Sequence, residues 1–179
     1  MTILEAFDLT AENQQLIQDN QVTFDLVEVT PETFQLSLTL ANKETSVIGK
    51  ISIHDNQISE VFVEEKWRGY GAGTLLCTLM TDYLFTKTVY PVLVLADSTH
   101  LDSYSSRFDS NYADEFKQLY GLAKLYYNAG FRVTEEENTI QLNREDFDKE
   151  YATQVVNNQL NKLIHYYTLN QLLGHSLAS

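Results

Sequence analysis

The sequence predicts a mixed α/β domain: a mostly antiparallel, twisted sheet flanked by helices, with a C-terminal amphipathic helix added at the end. Three observations carry this reading. Residues 22–63 hold four stretches rich in β-branched and aromatic residues, separated by turn signals only a few residues long. Connections that short join antiparallel strands. Residues 74–86 and 114–129 space their apolar residues as helices do, with a continuous apolar run at 89–96 between them. Residues 147–173 repeat apolar positions at Phe147, Tyr151, Val155, Leu160, Leu163, Ile164 and Tyr167, the stripe of one long helix.

Taken in order, residues 3–9 read as a first strand and residues 10–20 as a short helix. Thr10 is its N-cap, and Leu16 and Ile17 face inward. Strands follow at 22–29, 33–40, 47–54 and 58–63, with turns at Thr30-Pro31-Glu32, Asn42-Lys43-Glu44 and His54-Asp55-Asn56. The second of them alternates, setting Phe34, Leu36, Leu38 and Leu40 on one face. Helix 74–86 presents Leu75, Leu76, Leu79, Met80 and Tyr83 along one face. The run VYPVLVLA at 89–96 is apolar without alternation, which suits a strand covered on both faces. Residues 97–113 form a long polar loop rich in Ser, Asp and Tyr, a length often tied to function. Helix 114–129 stops at Gly130, a residue suited to the helix C-cap, and a hairpin over 131–134 and 139–142 follows. The chain thus divides into a domain at 1–145 and a helical extension at 146–179.

Composition narrows the function classes. A hydrophobic fraction of 44% and a charged fraction of 21% in 179 residues are those of an ordinary globular domain. The net charge of −13, with only 12 Lys and Arg, speaks against nucleic-acid binding. It is compatible with a cationic substrate such as an amine, and equally with plain solubility. No apolar run approaches the ~20 residues of a membrane span, and the N-terminus lacks a basic region ahead of an apolar one. The lone Cys77 allows no internal disulfide and builds no metal cluster, which fits a reducing cytoplasm.

The chemistry concentrates in WRGYGAG, residues 67–73, which joins an apolar strand to an apolar helix. A glycine-rich turn opening a helix gathers free backbone N–H groups and the positive end of the helix dipole at one point, a site for phosphate. Arg68 adds a cation. Two phosphate motifs do not fit. A P-loop needs Lys and then Ser or Thr after its last glycine, where this chain has Thr74-Leu75. The dinucleotide fingerprint needs parallel strands before the turn, where these read as antiparallel.

In context, EVFVEEKWRGYGAGTLLCTLM resembles the pyrophosphate signature of the GCN5-related N-acetyltransferase (GNAT) family, Arg/Gln-x-x-Gly-x-Gly/Ala between the fourth strand and third helix. Arg68, Gly71 and Gly73 match it, with Gly69, Tyr70 and Ala72 at the variable positions. AKLYYNAGF, residues 123–131, is similar to the end of the family's fourth helix, with Tyr126, Gly130 and Phe131 in the matching places. The resemblance spans residues 3–142 and leaves the C-terminal helix outside.

The resemblance implies an N-acetyltransferase moving an acetyl group from acetyl-CoA to a primary amine on a small molecule or protein. It implies that Val61, Phe62 and Val63 meet the pantetheine arm and that Arg68, Gly69, Tyr70, Gly71, Ala72, Gly73 and Thr74 cradle the pyrophosphate. Tyr126 would be the general acid toward the sulfur, or else a core aromatic beside Leu119 and Leu122. Glu60 would be a base acting through water, or else a strand-edge charge; Asp97 and His100 are further candidates. The position where many members carry a cofactor-contacting Asn is Tyr120 here. A non-catalytic acyl-CoA-binding or regulatory domain is the alternative, and no metal is implied. Cys77, without a His partner in sequence, reads as a small buried hydrophobe. The C-terminal stripe folds back on its own domain or pairs with a second copy; the expectation is a homodimer.

Overall fold

The computed structural model describes residues 3–95, 121–133 and 139–174. Seven strands form one sheet: β1 (Val22–Thr30), β2 (Thr33–Leu40), β3 (Thr45–His54), β4 (Gln57–Val63), β5 (Val92–Leu95), β6 (Arg132–Val133) and β7 (Thr139–Leu142), in the order β1-β2-β3-β4-β5-β7-β6. Every pairing is antiparallel except β4 with β5, which is parallel. That exception has a cause in the chain: β4 and β5 are joined by a crossover through helix α3 (Ala72–Lys87), whereas β1 to β4 are joined by tight turns. The mixed, mostly antiparallel sheet expected from the sequence is present.

The N-terminus departs from expectation. Residues 3–6 form a short helix, α1 (Ile3–Ala6), and not a strand. Phe7 and Leu9 are buried in the core, and the Asp8 carbonyl accepts from the Asn157 side chain at 3.0 Å. Side-chain packing, not a sheet edge, holds this segment. Helix α2 (Ala11–Asn20) begins as read, with the Thr10 hydroxyl accepting from Asn13 N. β5 starts at Val92 and not at 89, because Pro91 has no N–H for a ladder and Val89 and Tyr90 lie exposed.

α3 is more deeply buried than its one apolar face suggested. Ala72 to Thr81 are buried without interruption, because the helix lies between β3 and β4 on one side and the C-terminal helix α5 (Lys149–Leu172) on the other. A helix covered all round has no polar face to spare. Its buried hydroxyls turn back on the helix: Thr78 donates to Thr74 O and Thr81 to Cys77 O, at 2.9 and 2.7 Å. Helix α4 (Gly121–Asn128) packs on α3 and ends in a Schellman turn. There Phe131 N donates to Tyr126 O and Gly130 N to Tyr127 O, with Gly130 at φ 101°.

α5 starts on an Asp148 cap that accepts from Glu150 N and Tyr151 N. Its stripe of Val156, Leu160, Leu163, Ile164 and Tyr167 belongs to the same core as the sheet. Tyr151, expected in that stripe, is exposed, its hydroxyl donating to Asn128 O at 3.0 Å. The stripe offered to a second subunit by the sequence is therefore covered by the chain's own α2 and α3. Asn157 fastens the helix further: its side chain accepts from Thr10 N at 2.8 Å and donates to Asp8 O, while Asn13 donates to it in turn. Among the described residues, no helix is long and apolar enough to cross a membrane.

Candidate functional site

Among the described residues, the parallel strands β4 and β5 pair at Gln57 with Leu93 and at Ile58 with Val94 alone. Beyond Ile58, β4 keeps its partner on the other side, β3, through Val61, Phe62 and Val63. Glu64 N donates to Ile48 O on β3 at 2.9 Å. By the alternation of an antiparallel ladder, Phe62 also addresses β3, and the N–H and C=O groups of Val61 and Val63 point away from it. Among the described residues the sheet thus opens beside β4 past Ile58, leaving the Val61 backbone and the Val63 N–H without a strand partner.

A register shift between Ser52 and Ile53 sets which side chains face which way along β4. Val61 and Val63 pack on the core, while Glu60 and Phe62 lie exposed on the opposite face. Glu60 is thus two residues from Phe62 on one face, ~7 Å along the strand.

A 3-10 turn at Glu65–Trp67 leads from the end of β4 into the glycine turn. Gly69 and Gly71 both adopt φ 85°, the left-handed region that glycine alone enters freely. Gly71 is the N-cap of α3, and the first helical bond runs from Leu75 N to Gly71 O at 3.0 Å. The helix geometry leaves the N–H groups of Ala72, Gly73 and Thr74 without intrahelical acceptors. No acid occupies this first turn. Gly73 packs closely on α4: a Cβ there would stand 3.2 Å from the Leu125 side chain.

These parts enclose a cleft of about 600 Å³ between β4, the glycine turn, α4 and α5. Val61, Phe62, Val63, Arg68, Gly69, Gly71, Ala72, Gly73 and Thr74, all singled out from sequence, line it together. Arg68 is held over the cleft edge by a bond from Nε to Val63 O at 2.9 Å, with its guanidinium 5.8 Å from the Phe62 ring centroid. Tyr70 does not line the cleft; it turns outward and stacks on Tyr166 of α5.

Tyr126 is 9% exposed and packs in the core edge-on to Phe131. Burial, with a smaller contribution from Cys77, pushes its phenol well above the usual tyrosine value and keeps it protonated. Among the described residues of α4, Leu125 and Asn128 make the cleft wall, and Tyr126 does not. Cys77 is fully buried, which likewise raises its thiol. Asp97, His100, Tyr120 and the loop at 97–113 lie outside the described residues. No group of three or more His, Cys, Asp or Glu converges among those described.

Gln159 and Lys162 of α5 also line the cleft, and the sequence reading passed over both. A signal was present: Gln159, Lys162 and Tyr166 recur at i, i+3 and i+7, a second stripe beside the apolar one. No protein-family model matches the chain, and no curated protein matches it.

Proposed function

We propose that this protein is an acetyl-CoA-dependent N-acetyltransferase of the GNAT type. One observation carries the reading: just past β4, whose outer edge has no strand partner beyond Ile58 among the described residues, a glycine turn opens α3 with free helix N–H groups and no carboxylate in the helix's first turn. The residues fit the cofactor by their donor chemistry. N–H groups of Ala72, Gly73 and Thr74 suit the pyrophosphate, and the Val61 backbone with the Val63 N–H suits the amide-bearing pantetheine arm, the Val63 carbonyl being held by Arg68. Acetyl-CoA supplies an activated thioester carbonyl.

The chain's own residues would do the rest. Backbone N–H on β4 stabilises the developing oxyanion. Glu60, exposed on the Phe62 face, accepts the proton of the attacking ammonium through water, so that a neutral primary amine on a small molecule or protein reaches the carbonyl. Tyr126, held protonated by burial, is the proton donor toward the leaving sulfur. A non-catalytic acyl-CoA-binding domain is the second reading, favoured by the absence of Tyr126 from the cleft wall.

Incubating the chain with acetyl-CoA and a panel of amines while following free thiol separates the two. Thiol release that falls in Tyr126→Phe and Glu60→Gln supports the enzyme. Calorimetric binding of CoA without thiol release supports the binding domain. No binding of CoA removes both.

A further inference from the structure

The polar stripe of α5 points at the glycine turn. Tyr166 is anchored there: its hydroxyl donates to Lys66 O at 2.6 Å, and its ring meets Trp67 edge-on at 5.5 Å. Two turns earlier, Gln159 lies against Gly71 so closely that a Cβ on Gly71 would fall on its amide. Between them, Lys162 lines the cleft. Among the described residues, no carboxylate stands within ion-pair distance of its ammonium.

The charge at this place runs against the rest of the molecule. The chain carries 25 Asp and Glu against 12 Lys and Arg, yet among the described residues the cleft is lined by two cations, Arg68 and Lys162, and by no acid. A chain so acidic would not assemble such a wall for solubility. Arg68 is partly committed, since its Nε already serves Val63 O. Lys162 is an exposed cation on a flexible stem, and among the described residues none occupies its donors.

We propose that α5, which lies outside the family resemblance, is a wall of the phosphate site: Lys162 pairs with a phosphate of the bound nucleotide thioester, and the Gln159 amide donates to it. The inference rests on the acyl-CoA reading above and adds two ligand-binding residues to it. It also gives Gly71 a second task, leaving room for Gln159 beside the phosphate.

The test is calorimetric titration of the full chain with CoA, with inorganic pyrophosphate and with pantetheine, which lacks phosphate. Lys162→Met weakens CoA and pyrophosphate binding about tenfold, the lower end for a hydrogen bond to a charged group. Lys162→Glu weakens both further, and neither changes pantetheine binding. Lys43→Met, which does not line the cleft, leaves all three unchanged. Equal melting temperatures show that every variant is folded. Wild-type affinity for CoA in both Lys162 variants overturns the inference and leaves the acyl-CoA reading standing. Binding of pyrophosphate through Lys162 without binding of CoA keeps the phosphate wall and sinks the acyl-CoA reading. Binding of neither ligand by the wild type sinks both.

Discussion

Tyr70 lies flat against Tyr166, their ring centroids 3.6 Å apart and their planes 16° from parallel. The pair clamps the outward side of the glycine turn to the C-terminal helix, so the turn's conformation depends on residues far away in sequence. A double-mutant cycle of Tyr70→Ala and Tyr166→Ala measures this link in urea unfolding. The expected coupling is about 1 kcal/mol, within the range for aromatic pairs. Strict additivity of the two losses would show that the stack contributes nothing.

Gly69 and Gly71 share the same φ of 85° but not the same surroundings, since space beside Gly69 is open and Gly71 abuts Gln159. Gly69→Ala therefore costs only the left-handed strain, about 1–2 kcal/mol. Gly71→Ala meets the flexible end of Gln159, which must swing aside, so its loss is at least that of Gly69→Ala, and the second change Gln159→Ala relieves any excess. Thermal unfolding of the three variants tests this; a smaller loss in Gly71→Ala than in Gly69→Ala would contradict it. The comparison also separates folding effects from ligand effects at Gly71.

Asn157 is buried and its side chain serves Thr10 N, Asp8 O and Asn13 at once. Asn157→Ala strands these groups, and the loss is expected to be about 2–4 kcal/mol. Asn158→Ala, on the exposed side of the same helix, stays within about 0.5 kcal/mol of wild type. Matching losses at the two positions would mean that the network is not what fastens the helix.

His54 at the end of β3 holds Glu32 at 3.0 Å. The hydrogen bond to Glu32, then the charges of Asp55 and Glu32, raise its pKa above the ordinary 6.5. A raised value in the folded state favours folding below the unfolded value, and that contribution disappears as pH climbs through the native one. NMR titration of the ring should give a midpoint above 6.5, and Glu32→Gln should lower it. An unchanged midpoint in that variant would assign the shift elsewhere.

The sheet was legible because its cues are local. Phe34, Leu36 and Leu38 alternate and are buried, and the turns of β1 to β4 carry Pro, Asn and Asp between short apolar runs. The glycine turn was legible for the same reason: Gly69 and Gly71 occupy conformations that side chains resist. What escaped was set by distant packing. Ile3 has a strand former's side chain, but Phe7 and Leu9 are drawn under α5 and leave residues 3–6 to coil. Gln159 and Lys162 are ordinary helix residues locally, and only the docking of α5 across α3 turns them into cleft wall. Asn157 and Asn161 were a missed hint, since asparagine is a poor helix former and needs a reason in a helix interior.

The docking of α5 has a consequence for how the molecule is made. Chains emerge from the ribosome N-terminus first, at ~5–20 residues per second. The sheet, the glycine turn and α3 are all synthesised while α3 still lacks the helix that covers its far side. Until residues 157–166 emerge, Gly71 has no Gln159, Tyr70 has no Tyr166 and Asp8 has no Asn157. A nascent chain stalled short of α5 thus carries the motif without the site, and an apolar helix left bare for chaperones.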